Sequence, residues 1–122
     1  MKATVHAVLT IDSEPIESLT PPDPLDMGEW LRVIAAPAGE AGEESFDLIV
    51  CTPRWLERES EARGPIVGRH HLIVAEWNPT RIAEVVTDLF ESQTGHDWAD
   101  LGTKLGRLGY WEFEDYRADP GI

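Results

Sequence analysis

Polar and apolar residues alternate near the start of the chain. Over residues 4–12 every second residue shares a side: Val5, Ala7, Leu9 and Ile11 against Thr4, His6, Val8, Thr10 and Asp12. A period of two is typical of a strand with one buried face. We therefore predict a strand here, with the first set of side chains buried.

Three further segments have the composition of strands. Residues 29–36 and 45–52 are separated by PAGEAGEE, whose two glycines suit a hairpin, so these segments are predicted to pair antiparallel. Residues 69–77 (RHHLIVAEW) form the fourth segment, and its unbroken apolar centre favours an interior position in the sheet. Residues 13–27 contain four prolines and no periodicity, which predicts a long connection on the surface.

Helices are predicted after three capping signals. Thr52 followed by Pro53 starts a short helix that runs toward Ala62, and Asn78 followed by Pro79 starts a longer one that Gly95 closes. The longer helix has an apolar stripe at helical spacing, formed by Ile82, Val85, Val86, Leu89 and Phe90. A third helix is predicted to open at Asp97 and to end at Gly109.

Four predicted strands precede two consecutive helices. This order predicts an α+β fold with an antiparallel sheet of four to five strands and the two helices packed on one face. The segment YWEFEDY, residues 110–116, is either a final short strand or an extended tail. A chain of 122 residues is long enough for one core, so we expect a single domain over residues 1–122.

Charge and cysteine content narrow the function classes. The chain has 23 acidic and 10 basic residues, a formal net charge of -13, which repels nucleic acid and anionic membranes and attracts basic partners. Its single cysteine, Cys51, excludes an internal disulfide. The first residues are predicted to form a strand and not a signal peptide, and no apolar run reaches the length of a membrane span. We predict a cytoplasmic protein that binds neither nucleic acid nor a membrane.

Metal and nucleophile chemistry have weak support in the sequence. His70 and His71 are adjacent, and on a strand neighbouring side chains point to opposite faces, so they cannot share one ion. Zinc-site spacings are absent, and neither a metal site nor a cofactor is predicted. Cys51 ends an apolar strand, where a buried and inert thiol is the usual outcome, although His70 or His71 could act as its base.

The acidic residues of YWEFEDY admit a second catalytic interpretation. In an extended chain Glu112 and Glu114 lie about 7 Å apart, which falls within the range of roughly 6.5 to 9.5 Å for inverting glycosidases. Any exposed strand with this pattern has the same spacing, and a glycosidase also needs a deep cleft. We therefore predict no enzyme activity, and keep a small hydrolase using Glu112 and Glu114 as an alternative.

Three blocks of sequence, in this order, resemble a known family. CTPRWL at 51–56, GRHHLIVAEWN at 68–78 and SQTGHDWADLGTKLGRLGYWEFEDY at 92–116 are similar to the immunity protein 8 family of bacterial polymorphic toxin systems. The resemblance spans residues 51–116. It implies a small cytosolic α+β protein that binds and neutralises a cognate toxin domain by occluding it.

An acidic inhibitor suits a basic toxin, for which a nuclease is one candidate. The acidic side chains that we expect to contact the toxin are Glu112, Glu114, Asp115, Glu84, Asp88, Glu91 and Asp100. The alternative without a toxin is an interaction or oligomerisation module such as a homodimer.

Overall fold

The computed structural model describes residues 1–113. Its elements, in chain order, are β1 (Ala3–Thr10), a 3-10 turn (Ile16–Ser18), β2 (Gly28–Pro37), β3 (Glu44–Cys51), α1 (Pro53–Arg63), β4 (His71–Ile73), α2 (Pro79–Glu91), α3 (Trp98–Leu105) and β5 (Tyr110–Trp111). Over the described range the fold is α+β, with five strands and three helices. The predicted fold class is confirmed.

The sheet has the order β1-β2-β3-β4, and β5 pairs with β3. The pairs β1–β2, β2–β3 and β3–β5 are antiparallel, as predicted. The pair β3–β4 is parallel. Helix α1 lies between these two strands in the chain and carries it back to the starting end of the sheet, which a parallel neighbour requires.

The predicted interior strand at residues 69–77 is wrong in both length and place. Strand β4 is only His71–Ile73, and it lies at the end of the strand order. Ile73 in its apolar centre is 56% exposed. A continuous apolar run therefore does not mark a strand covered on both sides here.

The three predicted helix starts are confirmed by their caps. The side-chain oxygens of Thr52, Asn78 and Asp97 each accept a backbone N–H from the first turn of the helix that follows. Helix α1 ends at Arg63, close to the expected Ala62, whereas α2 stops at Glu91, before Gly95, and α3 at Leu105, before Gly109. The caps depend on local chemistry, whereas the ends are set by where the chain must turn next.

A β-bulge in β1 overturns the predicted assignment of its faces. The register against β2 shifts between Val5 and Ala7. Val5 packs against the core, and beyond the bulge so do Val8 and the buried Thr10, in place of Ala7 and Leu9. One extra residue moves every later side chain to the opposite face, so the alternation predicted the wrong side after Val5.

One face of the sheet is covered by α2 and α3, and we call it the covered face. Its fully buried side chains come from β2, β3, α2 and α3 and include Leu31, Val33, Phe46, Val50, Ile82, Val86, Phe90, Leu101 and Leu105. Phe46 at its centre meets the Phe90 ring edge-on at 5.5 Å and stacks on Trp111 at 6.1 Å between centroids. Both predicted helices therefore pack on one face, as expected.

The opposite face, which we call the open face, consists of the strand residues between those core positions. Its members are Ala7, Leu9, Trp30, Arg32, Ile34, Ser45, Asp47, Ile49 and Tyr110, placed there by the strand register. Helix α1 covers this side at the end that includes Gly28, where a Cβ would overlap the Trp55 indole. The remaining residues of the open face are half-buried or exposed.

Candidate functional site

Glu112 lies immediately after β5 and binds the edge of β3. Its carboxylate accepts a hydrogen bond from the Ser45 N–H at 2.9 Å, and its own N–H donates to the Ser45 carbonyl at 3.1 Å. Burial, followed by the charge of Glu112, raises the pKa of the neighbouring Glu44 carboxyl. Glu112 therefore extends the strand pairing, while its charge remains at the end of the sheet.

Two of the predicted interface residues, Glu114 and Asp115, lie outside the described residues. The structure consequently gives no separation for the carboxylate pair Glu112 and Glu114.

Two acids predicted on the helices bind backbone groups of their own chain. The Glu91 carboxylate accepts the Val5 N–H at 2.8 Å, beside the β1 bulge, where ladder pairing is interrupted. Asp100 accepts the His96 N–H at 2.9 Å, and this hydrogen bond, followed by the charge of Lys104, lowers the pKa of the Asp100 carboxyl. Glu91 thus joins α2 to β1, a long-range contact, whereas Asp100 stabilises the start of α3.

The other two helix acids face solvent from α2. Glu84 is exposed and forms a 3.4 Å ion pair with Arg81 one turn earlier. Asp88 is also exposed, and it lines the same shallow depression of the helix surface as Glu84. Glu112 is exposed as well, but one of its carboxylate oxygens is used by the Ser45 N–H.

Cys51 lies in the core, and burial raises the pKa of its thiol to about 11. A thiol with this pKa is almost entirely protonated at neutral pH, and the thiolate is the nucleophilic form. Cys51 is opposite Ile73 of β4, two residues beyond His71. The environment of this cysteine suits packing and disfavours nucleophilic attack.

The two adjacent histidines are bound to separate backbone carbonyls. The His70 Nε2–H donates to the Gly106 carbonyl, and Nδ1 of His71 lies 2.9 Å from the Arg69 carbonyl. His70 is buried with a left-handed backbone (φ 61°), which turns the chain into β4. Within residues 1–113 no three histidine, cysteine or acidic side chains come together as metal ligands would.

The open face carries an aromatic pair that the sequence did not single out. The rings of Trp30 and Tyr110 lie 5.9 Å apart, and the side chains are 40% and 44% exposed. The Tyr110 ring packs edge-to-face with the ring of buried His70, and the Arg69 guanidinium lies 5.9 Å from the Tyr110 centroid. Beside the pair, Arg32 donates two hydrogen bonds to Asp47, at 2.8 and 2.9 Å.

A signal for this cluster was present in β2. Trp30, Arg32 and Ile34 alternate with the core residues of that strand, so both of its sides carry large side chains. A strand with a solvated face ordinarily alternates apolar with small or polar residues. Large apolar residues on the second side indicate a surface suited to contact.

Two concave regions flank the sheet. A groove of about 310 Å³ lies between β4 and α2, lined by apolar residues that include Ile73, Ile82 and Val85. A second, of about 290 Å³, lies at the end of β1 and β2 beside Trp30, and its lining includes Asp12, Glu14 and Glu29. Helices within residues 1–113 are all too short or too polar to cross a membrane.

Comparison with known proteins assigns the chain to a family. No curated protein and no solved structure matches the chain. Residues 4–116 match the family Immunity protein 8, which extends the resemblance seen at residues 51–116 to nearly the whole chain. Membership implies an immunity protein whose partner is a cognate toxin. The chain belongs to the Immunity protein 8 family.

Proposed function

We propose that this chain is a cytoplasmic immunity protein that neutralises a toxin domain with a basic surface by covering that surface with its own acidic one. The family match over residues 4–116 carries the proposal, because it supplies the immunity role and the toxin partner. The net charge of -13 supports the basic character of that partner. Charge of this size accelerates encounter with a positive surface and disfavours neutral or acidic ones.

The acids of the fold differ in what they offer such a partner. Glu91, Asp100 and Glu112 each use a carboxylate oxygen to accept a backbone N–H of the chain itself. They contribute to the negative field, but moving them would cost local structure. Glu84 and Asp88, which are exposed on α2, supply charge without that cost.

A nuclease fits the proposed partner because enzymes that act on nucleic acid present a positive surface to phosphates. An acidic protein covering that surface would exclude the polyanionic substrate by both volume and charge. The same charge would keep the inhibitor itself off nucleic acid.

The proposal is tested by capture and rescue. A tagged copy of the chain is expressed in its native cells and purified from their lysate at low salt. Each protein that co-purifies is then expressed alone and together with the chain. We expect one captured domain to be basic, to arrest growth alone, and to be harmless with the chain. Its association rate should fall steeply as salt rises, since exposed charges are screened.

Two results would contradict the proposal. One is that none of the captured proteins is toxic. The other is that the toxic one is acidic and binds at a rate independent of salt, which would retain the immunity role and remove the electrostatic mechanism.

A further inference from the structure

The open face differs from an ordinary solvent-facing sheet surface. Antiparallel sheets with one solvated face usually carry polar residues there. Here the strand register places Leu9, Arg32, Asp47 and Tyr110 in one row across four strands. Trp30 lies in the next row, its ring 5.9 Å from that of Tyr110. The result is an apolar surface with one internal ion pair at its centre.

Its composition is that of an interface centre. Trp, Tyr and Arg are the residues enriched among those that dominate binding energy, and this surface has Trp30, Tyr110 and Arg32 side by side. The charge of Arg32 is neutralised by the bidentate contact with Asp47, which also raises the pKa of Arg32. A partner can therefore cover this pair without leaving a buried charge unpaired.

The aromatic side chains are already held in position. Tyr110 is fixed by β5 pairing with β3 and by the His70 ring, whose centroid lies 3.8 Å from its own. His70 is itself fixed by its hydrogen bond to the Gly106 carbonyl. Side chains that are ordered before binding lose little conformational entropy when a partner covers them.

The ends of the open face carry acidic side chains, and the guanidinium of Arg69 lies over Tyr110. Beside Trp30, Asp12 and Glu14 line the 290 Å³ concavity, and no Lys or Arg within residues 1–113 forms an ion pair with them. At the opposite end, Glu112 lies near enough to raise the pKa of Arg32, after the contact with Asp47. An apolar centre with an acidic border is complementary to a surface whose border is basic.

We infer that the open face is the surface that binds the toxin, with Trp30 and Tyr110 at the centre of the contact and Asp12 and Glu14 facing Lys or Arg side chains of the toxin. This inference rests on the proposed function and adds the location of the contact. Glu84 and Asp88 of α2 lie on the opposite side of the molecule, so in this inference they contribute to the negative field and do not contact the toxin.

The test uses the toxin domain defined by capture and rescue, and compares rates of binding to purified variants. Trp30→Ala and Tyr110→Ala should each weaken binding by about 10- to 100-fold through faster dissociation, as expected for central aromatic residues. Val67→Ala is the apolar control, since Val67 is 84% exposed and lies outside the open face. It should bind as the unaltered chain does.

The acidic border is tested with a matched pair of charge reversals. Asp12→Lys with Glu14→Lys should slow association and flatten its salt dependence, while dissociation changes less. Glu84→Lys with Asp88→Lys changes the net charge equally on α2 and should have the smaller effect. The reverse order would place the contact on α2 and overturn the inference, although the proposed function would stand.

Fluorescence quenching of the unaltered chain tests the inference without depending on variants that could misfold. Trp30 is the most exposed of the five tryptophans, so acrylamide quenching of fluorescence reports on it first. Toxin binding should reduce quenching, and the reduction should disappear in Trp30→Phe. Unchanged quenching in a complex that still neutralises the toxin would exclude the open face.

The other protein that could cover the open face is a second copy of this chain. Sedimentation of the protein alone should give a monomer, and Trp30→Ala should not change it. A dimer that Trp30→Ala dissociates without affecting toxin binding would assign the open face to self-association and overturn the inference. If the unaltered chain rescues cells from no captured protein, the proposed function itself fails.

Discussion

The two faces of the sheet are built from alternate residues of the same strands, yet they differ in what they contact. On the covered face, Val33 and Phe46 are fully buried beneath α2 and α3. On the open face, the intervening positions include Trp30 and the Arg32–Asp47 ion pair, which stay partly in contact with solvent. The covered face forms the hydrophobic core that stabilises the fold. The open face lies outside this core, so core packing does not account for its large side chains.

The largest expected difference between the faces is in stability. Phe90→Ala removes a fully buried ring from the contact with Phe46 and should lower the free energy of unfolding by about 3–5 kcal/mol. Trp30→Ala, a larger deletion on the open face, should change it by less than about 1 kcal/mol. Urea unfolding followed by circular dichroism measures both. Equal losses would mean that the open face is part of the core.

The next prediction concerns the one place where the open face is packed. Gly28→Ala would push a Cβ into the Trp55 indole, so we expect a loss of about 1–3 kcal/mol as α1 is displaced. Gly68→Ala is the matched control, because nothing lies within 4 Å of the Cβ it adds. It should leave the unfolding midpoint nearly unchanged. A harmless Gly28→Ala would show that Trp55 can move away and that α1 does not cover this end.

A smaller effect is expected from the ion pair of the open face. A double-mutant cycle with Arg32→Met and Asp47→Asn should give a coupling energy of about 0.5–1 kcal/mol, since the pair is bidentate and partly shielded. The cycle for Arg54 and Asp23, a single and more exposed contact at 3.2 Å, should give a value near zero. Equal coupling energies for the two ion pairs would mean that the Arg32–Asp47 pair is no better ordered than an exposed one.

The smallest effect is on a pKa at the end of the sheet. Glu112→Gln keeps an oxygen that can accept the Ser45 N–H but removes the charge that helps to raise the pKa of Glu44. The pKa of Glu44 should fall toward its ordinary value, as measured by NMR titration of the side-chain carboxyl. An unchanged value would mean that burial alone is responsible.

The same shift has a consequence for stability. Because the folded protein holds the Glu44 proton more tightly than the unfolded chain, stability falls as pH rises from the ordinary carboxyl pKa through the raised one. Glu112→Gln should reduce this loss. Urea unfolding on either side of that pH window, compared with the unaltered chain, measures the difference.

Prediction from the sequence succeeded where the signal is local. The pairs Thr52–Pro53 and Asn78–Pro79 located two helix starts, because a cap needs only the residues beside it. The stripe of α2 correctly identified Ile82, Val86 and Phe90 as buried. The family resemblance was likewise carried by short contiguous blocks, and the match over residues 4–116 confirms it.

Prediction failed where the outcome depends on distant partners. The bulge in β1 arises from its pairing with β2, and its Val5 N–H is satisfied by Glu91 of α2. The edge position of β4 depends on where α1 returns the chain. Local periodicity cannot predict these contacts. It shows how residues alternate along one strand, but not which strand lies opposite them.

The candidate site shows the same division. The sequence by itself determined the net charge of -13, the positions of the acids and the caps that start the helices, since these follow from composition and near neighbours. Only the tertiary structure decided that Glu91 binds the Val5 N–H of β1 and that Glu84 faces solvent, whereas Asp100 binds the N–H of His96, a near neighbour in the chain.

Tertiary structure also brought Trp30 and Tyr110 together. One lies on β2 and the other on β5, and they become neighbours only because both strands pair with β3. The chemistry of each side chain determines which contacts that residue can make. Strand register, which is set by burying one face of the sheet, fixes which residues do it together.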